Sequence, residues 1–311
     1  MEPIRSLGQL AEQLRGAPPR RVAVAAGHDE ETLQAAARAA AEGIARMTLV
    51  GDAARIQALC ATFALDYGLF EVLDEKDDLA AGKRACDLVR QGDADVLMKG
   101  LIGTDKYMKL LLDKEEGLLP QGRVLSHLTV FELPAYVKRH GKLLFAGDVA
   151  VIPAPDLPTK VQILQYCVDA ARSFGIAQPR AALLAATEKV SQRMPATVEA
   201  AAIAEMARAG QFPGVVVDGP LALDLALSPE ACAVKGIRSP VGGAADVLVF
   251  PNIEAGNVFY KAATLLAGAK IAAAVVGTTA PCILTSRADD EESKFYSICL
   301  GCRLAGGASA R

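Results

Sequence analysis

The chain has 311 residues, 52% of them hydrophobic, and a formal net charge of −3 at neutral pH. This length is enough for one large or two smaller α/β domains with an ample apolar core. The near-neutral charge and the lack of an extended basic run argue against a nucleic-acid-binding protein.

The mean hydropathy of +0.26 comes largely from alanine rather than from a membrane segment. Charged residues interrupt every apolar run well below the length that spans a bilayer, as Lys270 does near the C-terminal end. The first ten residues lack the apolar core of a signal peptide. We therefore expect a cytoplasmic protein that does not associate with membranes.

Short apolar runs alternate with Ala-rich segments along the chain. Most of these runs are continuous rather than alternating, which is typical of strands covered on both faces. The predicted strands, in chain order, are residues 21–26, 47–50, 95–98, 143–152, 180–186, 214–218, 246–250, 271–276 and 282–285.

The segments between these strands include two clear helices, predicted at residues 31–46 and 195–209. Strands that alternate with helices indicate an α/β fold with mostly parallel sheets and helices on both faces. Pro153, Pro155 and Pro158 follow the strand predicted at residues 143–152. Clustered prolines interrupt regular structure, so we expect the chain to pass from one lobe to the other there.

The seven cysteines and three histidines are irregularly spaced. An odd cysteine number argues against a disulfide framework. Cys299 and Cys302 form a CxxC pair, but no second pair or nearby histidine completes a zinc site, so we interpret them as buried helix residues. We expect no metal.

The most informative stretch is residues 246–297. One predicted strand leads into Asn252, Glu254 and Asn257, and another leads into Ser286 and Arg287, which four acids follow. A hydroxyl, a guanidinium and a carboxylate can orient an oxyanion, hold phosphate in a bidentate fashion and take a proton. This set suits acyl or phosphoryl transfer.

Each of these groups also has a purely structural interpretation. Serine followed by acids is typical of a helix N-terminus, and the two asparagines suit loops and caps. Lys99 and Thr104 follow the strand predicted at 95–98, where a lysine can reach phosphate or coenzyme A. Alternatively, Lys99 is a solvated lysine near the start of a helix.

Four long segments together resemble the phosphate acetyl/butyryltransferase family. The resemblance covers nearly the whole chain and is closer to the phosphate butyryltransferase branch, because the segment after residue 250 reads PNIEAGN. The segments are DVLMKGLIGTDKYMKLLL (95–112), LLAATEKVSQRMPATVEAAAIAEMA (183–207), VVVDGPLALDLALSPEACAVKGIRSPVGGAADVLVFPNIEAGNVFYKA (215–262) and LTSRADDEESKFYSI (284–298).

The resemblance implies a two-domain α/β enzyme with a fold like that of the isocitrate and isopropylmalate dehydrogenases. Residues 1–147 with 285–311 would form one domain and 148–284 the other, with the active site in the cleft between them. It also implies a homodimer or higher homo-oligomer. The reaction would move a short acyl group, butyryl rather than acetyl, reversibly between coenzyme A and inorganic phosphate, through acyl-CoA and acyl phosphate. Coenzyme A would be a substrate, with no permanently bound cofactor.

The resemblance assigns Ser286 and Arg287 to binding the acyl phosphate and stabilising the transition state. It also implies an aspartate a few residues later as the base that deprotonates the coenzyme A thiol, but here that position falls on Ser293. The base therefore stays open among the four neighbouring acids, which are Asp289, Asp290, Glu291 and Glu292.

Two other classes of function are compatible with the fold. One is a relative with another activity, a dehydrogenase or an acyl-phosphate synthase, although no GxGxxG motif follows a strand. The other is a non-catalytic, effector-binding, transferase-like protein. The retention of both Ser286 and Arg287 argues against this second class.

Overall fold

The computed structural model describes residues 2–285 and 289–308. Two compact units share these residues. We call them the flanking unit, Leu7–Leu125 with the residues from Ile271 onward, and the central unit, Ser126–Lys270 with the residues up to Ser6.

Strands and helices alternate through most of the chain. The strands are β1 (Arg20–Ala25), β2 (Ala45–Gly51), β3 (Phe70–Asp74), β4 (Val96–Lys99), β5 (Ser126–Glu132), β6 (Leu144–Gly147), β7 (Arg180–Leu184), β8 (Val216–Leu221), β9 (Val247–Val249), β10 (Lys270–Val276) and β11 (Cys282–Ile283). The helices are α1 (Leu7–Arg15), α2 (Glu30–Ala41), α3 (Ala53–Thr62), α4 (Asp78–Gln91), α5 (Thr104–Leu112), α6 (Pro134–His140), α7 (Leu157–Ser173), α8 (Pro195–Arg208), α9 (Leu223–Leu227), α10 (Pro229–Lys235), α11 (Ile253–Leu265) and α12 (Glu291–Ala308).

The sheets are mostly parallel, as the sequence predicts. In the flanking unit the strand order is β3-β2-β1-β4-β11-β10, with only the β11–β10 pair antiparallel. In the central unit the order is β5-β6-β9-β7-β8, with only β5–β6 antiparallel. The α/β fold class is therefore confirmed.

The strands form where the chain is apolar on both faces. All four residues of β4 are buried, as are the last four residues of β1. Helix α2 carries six buried residues on one side, and alanine lets it pack closely with little loss of side-chain entropy. The helix predicted at 195–209 is confirmed as α8.

Four predicted details were wrong or incomplete. The strand predicted at 143–152 ends at Gly147, because the Asp148 Oδ1 atom accepts hydrogen bonds from the backbone N–H groups of Ala150 and Val151, at 2.7 and 2.8 Å, and turns the chain. The helix predicted at 31–46 ends at Ala41, before β2 begins. Strands β3 and β5 were not predicted.

The two missed strands have unusual patterns. β3 has charged residues and lies at the edge of its sheet. β5 buries Ser126, His127 and Thr129 within its first four residues, so its sequence looks more polar than its position.

The chain passes from one unit to the other at residues 6/7, 125/126 and 270/271. The domain bounds given by the family resemblance stay a prediction. Within the described residues, no helix has both the length and the apolar content to cross a bilayer.

Candidate active site

Three neighbouring strands of the flanking unit end at the same edge of its sheet. The predicted Ser286–Arg287 pair follows the last of them, β11, in the sequence. β1, β4 and β11 lie side by side and run parallel, with Ala25 paired to Lys99 and Ile283 paired to Met98. Loops that follow adjacent parallel strands converge and commonly form ligand sites. Ser286 and Arg287 themselves lie outside the described residues.

The loops after β1 and β4 are held together by their backbones. The N–H groups of Gly100 and Leu101 donate to the carbonyl oxygens of Ala25 and Ala26, both at 2.8 Å. A Cβ atom at Gly100 would lie 2.4 Å from the Ala26 oxygen. Glycine is therefore required at position 100, directly after Lys99, because any side chain there would push the two loops apart.

A small cavity opens beside these loops. Its volume is about 90 Å³, several times the ~10–15 Å³ that one water molecule needs. It is lined by residues from the start of α2, the end of β4, the end of the β11 segment and the start of α12: Asp29, Glu31, Thr32, Lys99, Gly100, Leu101, Thr285 and Lys294.

Two of the lining residues are buried lysines. Lys99 is 2% exposed and donates from Nζ to the Gly100 carbonyl oxygen at 3.2 Å. Lys294 is 3% exposed and donates from Nζ to the Asp289 carbonyl oxygen at 3.0 Å. Burying an ammonium group is costly unless an opposite charge compensates for it. The pair therefore provides cationic groups for an anion, beside the carboxylates of Asp29 and Glu31 that line the same cavity.

The burial of Lys99 rules out one of its two sequence interpretations, and its role in ligand binding stays a prediction. A solvated lysine near a helix start would be largely exposed, and Lys99 is not. Thr104, the other candidate in this segment, is the first residue of α5 and is exposed. It does not line the cavity.

The start of α2 contributes polar atoms to the same cavity. Asp29 caps the helix, since its Oδ1 atom accepts from the Thr32 N–H at 3.1 Å. The second carboxylate oxygen, Asp29 Oδ2, and the Thr32 hydroxyl are buried and have no hydrogen-bond partner among the described residues. Thr32 is only 1% exposed. Buried polar atoms are rarely left without a partner, so these two atoms require a bound water or ligand.

His28 precedes this cap and is also buried. Its Nε2 atom lies 3.4 Å from Asp78 Oδ1. Burial, more than the nearby Arg55 charge, lowers the pKa of the His28 imidazole below its usual value, even though three aspartates oppose the change. The neutral ring is therefore favoured.

Two of the four acids after Arg287 have identifiable roles in helix α12. Asp290 Oδ1 accepts from the Ser293 N–H at 2.9 Å, the geometry of a helix cap. Glu291 forms an ion pair with Arg38 Nη1 at 3.4 Å.

Arg38 also lies over the ring of Phe295, with its guanidinium carbon 3.8 Å from the ring centroid, so the Glu291 contact belongs to the packing of α2 on α12. The other two acids, Asp289 and Glu292, are half-buried. Asp289 is linked to the cavity through the hydrogen bond from Lys294 to its backbone oxygen.

The remaining candidates lie in the central unit, at the start of α11. Asn252 caps this helix, since its Oδ1 atom accepts from the Ala255 N–H at 3.0 Å. Asn257 donates from Nδ2 to the carbonyl oxygen of Val149 at 3.2 Å, and Glu254 is exposed in the first turn. The structural interpretation of the two asparagines is thus realised, and a direct role in ligand binding stays a prediction.

The close fit of α11 to the loop after β6 explains the glycine of the PNIEAGN segment. A Cβ atom at Gly256 would lie 2.4 Å from the Asp148 carbonyl oxygen. Asp148 is itself buried, and its Oδ2 atom accepts from the Ser126 hydroxyl at 3.0 Å and the His127 N–H at 2.9 Å. This part of the motif is a packing requirement.

Sequence reasoning missed several residues that line the cavity, among them Asp29, Thr32 and Lys294. The first two belong to an ordinary capping pattern after a strand, and only the fold shows that they face the same cavity as Lys99. Lys294 lies eight positions after Ser286, and its position in the conspicuous acidic segment was a usable signal.

Cys299 and Cys302 lie on α12 and are both buried, which confirms their interpretation as helix residues. Burial raises the pKa of the Cys302 thiol to about 12 and that of Cys299 well above its usual value. Such thiols are poor metal ligands and nucleophiles.

Comparison with known proteins gives a consistent family assignment. The profile of the family described as phosphate acetyl/butaryl transferase matches residues 6–87 and 81–302. A phosphate butyryltransferase from Clostridium acetobutylicum is 40% identical over 303 residues, which cover 97% of this chain and 99% of that protein. A phosphate acetyltransferase from Thermotoga maritima is 38% identical over 299 residues, covering 96% and 99%.

Solved structures agree. A branched-chain phosphotransacylase from Enterococcus faecalis superposes with a TM-score of 0.79 at 34% identity and covers 92% of this chain and 99% of that one. A 4-hydroxythreonine-4-phosphate dehydrogenase from Burkholderia phymatum has a TM-score of 0.53 at 14% identity, covering 93% and 99%, and shares the fold alone. The likeness to dehydrogenase-type folds is thus confirmed.

Proposed function

We propose that this chain, which belongs to the phosphate acetyl/butaryl transferase family, catalyses reversible transfer of a short-chain acyl group between coenzyme A and inorganic phosphate. In the direction of acyl-CoA formation, the coenzyme A sulfur bonds to the acyl carbon and the carbon–oxygen bond to phosphate breaks. The thiol proton passes to a base and phosphate leaves. No cofactor is needed, because coenzyme A is itself a substrate.

The observation that carries this proposal is the cavity in the flanking unit. It is small, lined by two buried lysines and by buried oxygen atoms, and one of its walls is Thr285, the residue immediately before Ser286. The buried ammonium groups of Lys99 and Lys294 stabilise a phosphate group, particularly while charge accumulates on phosphate as it departs. The cavity thus supports the view that the phosphate moiety is held beside the Ser286–Arg287 pair.

In this proposal, Arg287 holds two phosphoryl oxygens with its planar guanidinium, and Ser286 donates a hydrogen bond to a phosphate or carbonyl oxygen. A thiol with a pKa near ~8.5 is only a few per cent ionised at neutral pH, so a base is required for fast attack. We propose one of the four acids after Arg287 for this role: Asp289, Asp290, Glu291 or Glu292.

We propose butyryl as the preferred acyl group and acetyl as a slower one. The wording of the PNIEAGN segment supports this order, and the relatives cited above bear both names. One or two methylene groups change selectivity by only ~1–3 kcal/mol. Both acyl phosphates should therefore be substrates. The homodimeric assembly and cytoplasmic location stay predictions.

The test is a discontinuous assay of coenzyme A thiol consumption with butyryl phosphate and with acetyl phosphate, followed by thioester detection. We expect turnover with both and a higher kcat/KM for butyryl phosphate. Lys294→Met should lower kcat/KM by roughly 10-fold or more, because it removes a charge-assisted phosphate contact. Lys138→Met, on α6, is the matched control and should behave as wild type.

The same assay separates the alternatives. A dehydrogenase would reduce a nicotinamide cofactor and leave the thiol intact. An effector-binding protein would bind acyl phosphate without consuming coenzyme A. Either result with folded wild-type protein would overturn the proposed function.

A further inference from the structure

The cavity of the flanking unit is lined by two acidic residues, Asp29 and Glu31, which an ordinary phosphate site would exclude. Asp29 lines the cavity together with Lys99 and Lys294. Its Oδ1 atom is used by the helix cap, at 3.1 Å from the Thr32 nitrogen, whereas Oδ2 is buried. A carboxylate oxygen accepts hydrogen bonds and cannot donate them, so it repels a fully deprotonated anion in the same cavity.

The unsatisfied atoms cluster at this point of the chain. Among the described residues, four buried side-chain nitrogen or oxygen atoms have no hydrogen-bond partner, and His28 Nδ1, Asp29 Oδ2 and Thr32 Oγ1 are three of them. Asp29 also forms no ion pair within the described part of the chain. A ligand that satisfies Asp29 Oδ2 and Thr32 Oγ1 must offer Asp29 a hydrogen and offer Thr32 a donor or an acceptor.

We propose that Asp29 selects inorganic phosphate by accepting the hydrogen that this ion keeps at neutral pH. This inference rests on the proposed function. Lys99 and Lys294 would neutralise the charged oxygens, Thr32 would bond a third oxygen, and Asp29 Oδ2 would accept from the P–OH group. A buried acceptor rejects an analogue that lacks the matching hydrogen, because the acceptor is then left unpaired and the two negative charges face each other.

The inference distinguishes ligands of similar size and charge. Sulfate carries no hydrogen at neutral pH and should be rejected. A phosphate monoester is also essentially without a P–OH hydrogen at pH 8, since its second pKa is about 6. The site should therefore hold inorganic phosphate rather than a phosphate ester of coenzyme A. Acyl phosphate lacks the hydrogen as well, so it makes the lysine and Thr32 contacts without the one to Asp29 and should bind more weakly than inorganic phosphate.

The substitution Asp29→Asn tests this with little other change. Asparagine is as good a helix cap as aspartate, so the Oδ1 contact to Thr32 survives while Oδ2 becomes an NH₂ donor. Asp77→Asn is the matched control, because Asp77 caps α4 in the same way, with Oδ1 at 2.8 Å from the Ala80 nitrogen, and is exposed. Asp29→Ser, which keeps one capping oxygen, is a second variant should Asp29→Asn fail to fold.

The measurement is calorimetric titration of each protein at pH 8 with inorganic phosphate, sulfate and methyl phosphate. We expect wild type and Asp77→Asn to bind phosphate about 10-fold or more tightly than the other two anions, the size expected for one charge-assisted hydrogen bond. In Asp29→Asn and Asp29→Ser this preference should fall by about 10-fold or reverse.

Equal binding of the three anions by wild type, or an unchanged preference in both Asp29 variants, would overturn the inference. The result is independent of turnover. If wild type does not consume coenzyme A but the Asp29 variants lose the preference for phosphate, the proposed function is wrong and the inference about Asp29 stands. If wild type does consume coenzyme A but the Asp29 variants keep the preference, the proposed function stands and the inference about Asp29 is wrong.

Discussion

Arg287 is the residue on which the proposed chemistry depends most directly. Arg287→Ala should lower kcat by roughly 10²-fold or more, because it removes a positioned charge from the departing phosphate. Arg287→Lys should recover little of the loss, since a point charge cannot reproduce the planar fork. Steady-state kinetics on proteins with unchanged melting temperatures check this. Wild-type rates in folded Arg287→Ala would remove the residue from the site.

The thiol base gives a second prediction at this scale. One of Asp289→Asn, Asp290→Asn, Glu291→Gln and Glu292→Gln should lower kcat by ~10² to 10⁴-fold, while the other three should cost little beyond a small loss of helix stability. The deficit should shrink as pH rises through the thiol pKa, because solvent then supplies the thiolate. A pH series of kcat for the four variants measures this.

Near-normal activity of all four variants at neutral pH would contradict a carboxylate base. Thiolate formation would then have to depend on the positive field of Arg287 and of the two buried lysines. Lys294→Met would in that event also raise the apparent pKa of the pH profile, a change that a purely structural lysine would not produce.

Individual residues were only partly predictable from the sequence. The Ser286–Arg287 pair, Lys99 and the adjacent acids stand out because charged groups follow apolar strands. Asp29 and Thr32 do not stand out, since aspartate three residues before threonine is an ordinary cap. Their importance depends on which loop lies beside theirs, and that is decided by strand order.

At the scale of elements, the glycine after β4 fixes how closely two loops approach. In Gly100→Ala the new Cβ atom would lie 2.4 Å from the Ala26 oxygen, so backbone must move. We expect a loss of roughly 1–3 kcal/mol in stability and a larger proportional loss in kcat/KM, because Lys99 is adjacent. Thermal denaturation with parallel kinetics measures both.

Gly16→Ala is the control for this element, because the nearest atom to its new Cβ would be the Gln13 oxygen at 3.9 Å. It should change stability little and activity not at all. If Gly100→Ala were as stable and active as this control, the two loops would not be held as tightly as their backbone contacts indicate.

Elements were predicted well where a continuous apolar run marks a strand buried on both faces, and poorly where the strand lies at an edge or carries polar residues. β1, β4 and β10 are nearly continuous apolar runs and were found. β3 is an edge strand, and β5 begins with Ser126-His127, whose polarity hides its burial. The strand that ends at Gly147 is shorter than predicted, because the sequence does not reveal that the Asp148 side chain accepts hydrogen bonds from the N–H groups of Ala150 and Val151.

At the scale of the whole molecule, the chain consists of two units that each have a mostly parallel sheet, and each needs an alanine-rich interior. The parallel class follows from the sequence because apolar strands alternate with helices. The order of strands does not, since it depends on which crossover each helix takes. That order is what brings residues 29, 99, 285 and 294 around one cavity.

The cysteines provide a test of the integrity of the whole fold. All seven are free and buried, and burial raises the pKa of the Cys86 thiol to about 11 and that of Cys282 to about 12. The thiolate is the reactive form, and at pH 8 such thiols are ionised on the order of 0.1% or less. An aromatic disulfide reagent should therefore modify native protein far more slowly than a free thiol, and should modify seven groups per chain in denaturant.

Val234→Cys is the control for access, because Val234 is 88% exposed and the new thiol should react at once with one equivalent. Modification of the buried thiols requires local or global opening, so any ligand that binds only the folded state should slow it by mass action. Inorganic phosphate should slow the reaction more than sulfate does at equal concentration, and the difference should disappear in Asp29→Asn. Rapid reaction of native wild-type cysteines, unaffected by phosphate, would show that the interior is open on the timescale of the assay and that phosphate is not held within the fold.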